Sequence, residues 1–250
     1  MIELLNAEMQ NVLLIFCRIG AMFMVLPGFS SARVPTNVRL LLALTVTLAM
    51  VPLIPRAAPG DLDGTAALLP AIVSEILFGA MIGLLVRFYF LALEFIMTGV
   101  AMSIGLSGIM GMAIEGQEAQ PALTNFISFA ALTLLFLMDF QHMVLRAVAD
   151  SYSVVPMGLF PDVRVMMMTL LDSLVQSFRV ALQLGSPFLV YAIVVNVALG
   201  FINKLALQVP VYFVALPFIL FGFLFILFFS AQHILLLFSS GLEAVFNGPV

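Results

Sequence analysis

The sequence predicts an all-α, polytopic membrane protein, and three observations predict it. Of 250 residues, 64% are hydrophobic and 9% charged, with a mean hydropathy of +1.23. Soluble domains run near 45–50% apolar and about 25% charged, and a soluble globule of this size lacks the interior to hide the excess. Second, Asp, Glu, Lys and Arg are absent from Ile19–Ala32, Leu40–Pro55, Ile76–Val86, Phe95–Ile114, Ala119–Met138, Val180–Asn203 and Leu205–Leu242. A crossing needs about 20 mostly apolar residues. Third, runs such as Phe218–Phe229 are apolar at every position, whereas a spanning barrel strand alternates in polarity.

Seven helical segments follow, near residues 10–27, 38–55, 68–86, 88–112, 122–148, 176–202 and 211–238. Pro27-Gly28 and Pro35 bracket the first connection. Pro52, Pro55, Pro59, Gly60 and Gly64, with Asp61 and Asp63, make the second. Pro156, Gly158 and Pro161 lie in the longest polar stretch, Arg146 to Arg179. Pro210 and Pro217 open the last segment, where an early proline is tolerated. Residues 68–112 carry no strong turn signal beyond Pro70. As one helix they would extend roughly 68 Å, over twice a bilayer core, so the chain either turns near Arg87 or protrudes. With seven segments, odd connections hold Arg33, Arg39, Arg87 and Arg164, flanked by Arg146 and Arg179, and even ones hold Arg56 and Lys204. The excess places odd connections in the cytoplasm.

Nine Lys+Arg stand against 13 Asp+Glu, and no basic stripe supports nucleic-acid binding. Cys17 is the single cysteine, so no intrachain disulfide forms. Met1–Gln10 carries Glu3 and Glu8 and no Lys or Arg, the wrong sign for a signal-peptide n-region. His142 and His233 are isolated, and Asp139 with His142 makes only an i,i+3 pair, so no metal spacing is expected. There is no GxSxG, GxxxxGK[ST] or HExxH. Neither a catalytic residue nor a cofactor is expected.

Four ionisable residues sit in apolar runs: Arg18, Glu75, Arg87 and Glu94. At bilayer depth each costs several kcal/mol unless paired. Both bases are arginines, which keep their protons, so structural ion pairing within a bundle or between subunits is the expected role rather than a proton pathway. Arg87 and Glu94 share a face of a continuous helix but are too far apart to pair along it, which points to partners on other helices.

Gly79 and Gly83 form a GxxxG pair, suited to close helix approach. Gly99, Ser103, Ser107 and Gly111 recur every four residues, and Gly105, Gly108 and Gly111 every three. Such glycine density weakens a helix, so Ser103–Pro121 is read either as a bare packing face or as an unwound interior loop. Met102, Met110 and Met112 add deformable side chains.

Four stretches together resemble the FliR family of flagellar export-gate proteins and its injectisome counterparts: FCRIGAMFMVLPGFSSARVPTNVRLLLAL (Phe16–Leu44), SEILFGAMIGLLVRFYFLALE (Ser74–Glu94), LLFLMDFQHMVLRAVADSYSVVPMG (Leu134–Gly158) and NKLALQVPVYFVALPF (Asn203–Phe218). Departures from the family pattern fall at Leu207, Pro210, Ala215, Phe140-Gln141-His142 and Glu115-Gly116-Gln117.

The resemblance implies one membrane domain over 1–250, with a FliP-like part at 1–175 and a FliQ-like helical hairpin at 176–250. It implies a non-enzymatic subunit of a hetero-oligomeric cone in the bacterial inner membrane and flagellar basal body, with the virulence-type injectisome homologue as the alternative that the sequence does not separate. Its partners would be FliP-like and FliQ-like subunits, FlhB- and FlhA-like export proteins, membrane lipid and unfolded exported polypeptides. The family's plug aligns with Gly105–Pro121 and so marks Gly105, Gly108, Met110, Gly111, Met112, Glu115 and Gln117. A small-molecule secondary transporter is the first competitor, and an intramembrane enzyme the second.

Overall fold

A computed structural model describes residues 2–31, 34–54, 65–105, 122–205, 208 and 211–247. Among these, all regular structure is helical: α1 (Ile2–Val25), α2 (Thr36–Met50, continued by a 3-10 turn at Val51–Leu53), α3 (Thr65–Ser103), α4 (Ala122–Leu137), α5 (Phe140–Val154), α6 (Val163–Leu205) and α7 (Val211–Asn247). Five helices are long and apolar enough to cross a membrane, or six spans if the broken pair α4–α5 counts as one.

Two expected boundaries move. The segments expected at 68–86 and 88–112 are one helix of 39 residues, about 58 Å long. A single half-buried arginine does not end a helix, because its long stem can lie along the helix surface. The stop comes at Gly105, whose φ of 74° is the left-handed turn that closes helix C-termini. Conversely, the segment expected at 122–148 is broken at Met138–Asp139. Amides of these residues bond the carbonyls of Leu135 and Phe136 three positions back, and Asp139 takes a φ of 55° before α5 restarts on its carbonyl. Aspartate is among the few side chains that tolerate this conformation. The sixth segment also starts earlier than expected, at Val163 rather than 176.

The six-span count removes the orientation argument. Arg87 and Arg179 fall inside α3 and α6, odd connections keep Arg33, Arg39 and Lys204, and even ones take Arg56, Arg146 and Arg164. The basic residues then balance.

The chain forms two compact units. Unit 1 comprises Met1–Phe88, Leu135–Val175 and Ala244–Val250. In its interior, Gly79 and Gly83 of α3 lie against the backbone of Arg18 and Met22 in α1. A Cβ on Gly79 would collide with the Arg18 carbonyl, and one on Gly83 would come 2.9 Å from that of Met22. This is the close approach expected of a GxxxG pair. Arg39, four residues after Pro35, turns back from the first turn of α2 to donate to the carbonyls of Ser31 (3.0 Å) and Val34 (3.2 Å). It thereby closes the α1–α2 connection.

Unit 2 comprises Tyr89–Leu134 and Gln176–Glu243. Here α6 and α7 form an antiparallel pair: Phe188 stacks on Phe223 at 4.8 Å, and the Tyr191 hydroxyl donates to the Ile219 carbonyl at 2.8 Å. Gly222 leaves room for that hydroxyl. Within α6, Pro187 removes the amide that would bond Gln183, and the Ser186 hydroxyl takes the freed carbonyl at 2.9 Å.

Candidate functional site

The most developed polar constellation lies inside unit 1. Arg18 of α1 and Glu75 of α3 are both 0% exposed. The guanidinium Nε donates to Glu75 Oε2 at 2.6 Å, and Nη2 donates to Oε1 at 3.2 Å, the two-pronged arrangement that makes Arg–carboxylate pairs strong. Nη1 donates to the Ser151 hydroxyl of α5 at 2.9 Å, and Nη2 also donates to the Val155 carbonyl at 3.2 Å. Two aromatic rings lie against it: its central carbon is 3.8 Å from the Tyr152 ring centre and 4.8 Å from that of Phe78, both inside cation–π range.

The pair also anchors a turn. Gly158 donates its amide to Glu75 Oε1 at 3.1 Å, and Ser74 donates to the Leu159 carbonyl at 2.6 Å. Gly158 has a φ of 79°, open to glycine without a Cβ penalty. Three helices and the turn after α5 therefore converge on one charge pair. Arginine stays protonated and the carboxylate is fully engaged. The arrangement holds structure.

Arg87 and Glu94 are placed differently. Both are half-buried on α3. Glu94 Oε1 accepts the Ser128 hydroxyl of α4 at 3.0 Å, so its partner does sit on another helix but is neutral. No ion pair forms on either residue among those described.

Of the loop residues, Gly105 is described, and Gly108, Met110, Gly111, Met112, Glu115 and Gln117 lie outside the described residues. The C-terminal end of α3 is held from two sides. Thr98 and Thr124 hydroxyls bond at 3.2 Å, one helical turn from the Glu94–Ser128 contact, forming a polar ladder between α3 and α4. Asn196 of α6 donates its side-chain amide to the Ser103 carbonyl at 2.6 Å and to its own Ala192 carbonyl at 2.8 Å. It thus caps the C-terminus of α3, where carbonyls lack helical partners.

Sequence reasoning missed Ser74, Ser151, Tyr152, Gly158 and Asn196. The signal for Asn196 was present, as an amide inside the apolar run Val180–Asn203. Nothing in a single sequence joins Arg18 to Ser151, 133 positions away.

Long apolar helices, a dry ion pair and a capped loop root define a polytopic helical membrane protein. Residues 9–245 match the family described as bacterial export proteins, family 1, and the chain belongs to that family. It is 29% identical to the flagellar biosynthetic protein FliR of Caulobacter vibrioides over 82% of this chain and 81% of that one. It is 27% identical to FliR of Aquifex aeolicus over 83% and 80%, and 26% identical to FliR of Escherichia coli over 80% and 76%.

Proposed function

We propose that this chain is a structural, non-enzymatic subunit of the flagellar protein-export gate in the bacterial inner membrane. There it forms a polypeptide-conducting channel with FliP-like and FliQ-like subunits and works beside FlhB- and FlhA-like proteins. The observation that carries the reading is the export-family match across residues 9–245. The relatives named above are flagellar, which favours flagellar over virulence-type export. The antiparallel α6–α7 pair supports assigning 176–250 as the FliQ-like hairpin and 1–175 as the FliP-like part.

In this reading the chain's residues do mechanical work. The Arg18–Glu75 knot stiffens unit 1. The α3–α4 ladder and Asn196 fix where the segment from Gly105 to Pro121 begins. That segment seals the resting channel with apolar, deformable side chains that exclude water and yield to an unfolded polypeptide. Energy for transport is supplied by other components.

The test has two parts. Expressed alone, the chain should be unstable or aggregate, and co-expression with FliP- and FliQ-like partners should rescue it. Deletion of residues 106–116 should leave the complex assembled but leaky to ions in planar bilayers. Long-lived, monodisperse protein purified alone counts against the subunit reading, and unchanged conductance in the assembled deletion variant removes the seal from this segment.

A further inference from the structure

The helix that carries the buried arginine is poorly equipped to stay in a membrane by itself. Among the described residues, Glu8–Val25 in α1 is the least apolar of the five stretches long enough to cross. Arg18 lies near its middle, and Gln10 and Asn11 stand about two turns earlier. An arginine at that depth opposes insertion and keeps its charge. The apolar stretch of α3, Ala67–Ser103, is 37 residues long against the 18 of α1, and it is the more apolar of the two.

α3 supplies what α1 lacks, within unit 1. Gly79 and Gly83 let the two backbones meet at Arg18 and Met22. Glu75, one turn before Gly79, then reaches the guanidinium with both oxygens, at 2.6 and 3.2 Å. Both side chains are sealed from solvent. The counter-charge comes 57 positions after Arg18, with the whole of α2 between them.

We propose that α1 holds its transmembrane position through α3, the Arg18–Glu75 pair being an interlock without which α1 leaves the hydrocarbon while α3 remains. The dependence runs one way. A carboxylate stranded by loss of Arg18 neutralises itself by binding a proton. A guanidinium stranded by loss of Glu75 stays charged and must be carried by the weaker of the two spans. Glu75→Leu makes α3 more apolar and leaves the sequence of α1 untouched, yet it is α1 that moves.

The experiment reads the position of α1 in the full chain, made in its native membrane and pulse-labelled so that short-lived variants are counted. Cys17, the single cysteine, is replaced by serine. One reporter cysteine is then added at the N-terminus or substituted for Ser30, and spheroplasts are treated with a membrane-impermeant maleimide. In the parent, one of the two sites should label and the other should not. In Glu75→Leu the two sites should label alike in most chains, with the ratio of spanning to non-spanning α1 down by roughly tenfold. Arg18→Met, alone or with Glu75→Leu, should label as the parent does. Gly185→Val drives a side chain into Ile96 of unit 2 and controls for general misfolding, so it should leave α1 in place. An unchanged pattern in Glu75→Leu overturns the interlock, as do two sites that label alike in the parent. Equal displacement of α1 by Arg18→Met or by Gly185→Val also overturns it, because the movement would then follow misfolding rather than a stranded cation.

Discussion

Removing Glu75 is the most incisive perturbation of the fold. Glu75→Ala leaves the Arg18 guanidinium fully buried, facing two aromatic rings, the Ser151 hydroxyl and the Val155 carbonyl. Breaking a buried pair from one side costs about 3–5 kcal/mol, because the remaining charge keeps its desolvation penalty and loses its counter-charge. Ser151→Ala removes one acceptor from the same guanidinium and should cost about 1–3 kcal/mol. Replacing both charges, as Arg18→Met with Glu75→Leu, removes the penalty together with the attraction, and should recover most of the stability lost in Glu75→Ala. The assay is unfolding of the purified complex in mixed micelles by denaturing detergent, followed by protease protection. Glu75→Ala also frees the Gly158 amide, so new cleavage should appear first at 155–161. A loss in the double variant equal to the sum of the losses in Arg18→Met and Glu75→Leu alone would refute the claim that the pair acts as a unit.

Three further outcomes are expected. Gly79→Val drives a side chain into the Arg18 backbone and should abolish accumulation of folded protein, read by immunoblot of membranes, whereas Gly99→Ala, with open space around its position, should accumulate normally. Asn196→Leu removes two hydrogen bonds and should speed amide exchange at Ile104 and Gly105 by roughly fivefold, as expected for a loss near 1 kcal/mol, with Val86 unaffected. Asp139→Gly relieves a left-handed residue at φ 55° and should hold or raise stability by up to about 1 kcal/mol, while Asp139→Val should lose about 1–2 kcal/mol.

The sequence made some of this legible and hid the rest for physical reasons. Fold class follows from composition alone, because lipid tolerates what water does not. The Gly79–Gly83 approach was readable because small residues at spacing four serve few other purposes on an apolar helix. Arg87 misled the segment count because charge was used to mark boundaries, and a half-buried arginine on a long helix breaks that rule. Asp139 misled it the other way, since a single left-handed residue breaks a helix without glycine or proline. Arg18 and Glu75 were both recognisable as charges needing partners, but their pairing across 57 positions is a tertiary fact. No periodicity encodes it.

Helix length argues further that lipid alone does not cover this chain. α6 runs for 43 residues, roughly 65 Å. It carries exposed apolar side chains at one end, Val163, Val165, Met167 and Met168, and at the other, Phe201, Ile202 and Leu205. A hydrocarbon core is about 30 Å thick and takes about 20 helical residues, so α6 holds roughly twice what one crossing needs. Only 17% of α6 is buried within the chain, against 61% of the apolar stretch Ala67–Ser103 in α3. In the proposed gate, other subunits cover the apolar length of α6 that one crossing leaves over, because water opposes bare apolar surface. The same reasoning makes the isolated chain an incomplete folding unit, whose stability cannot be separated from that of its assembly.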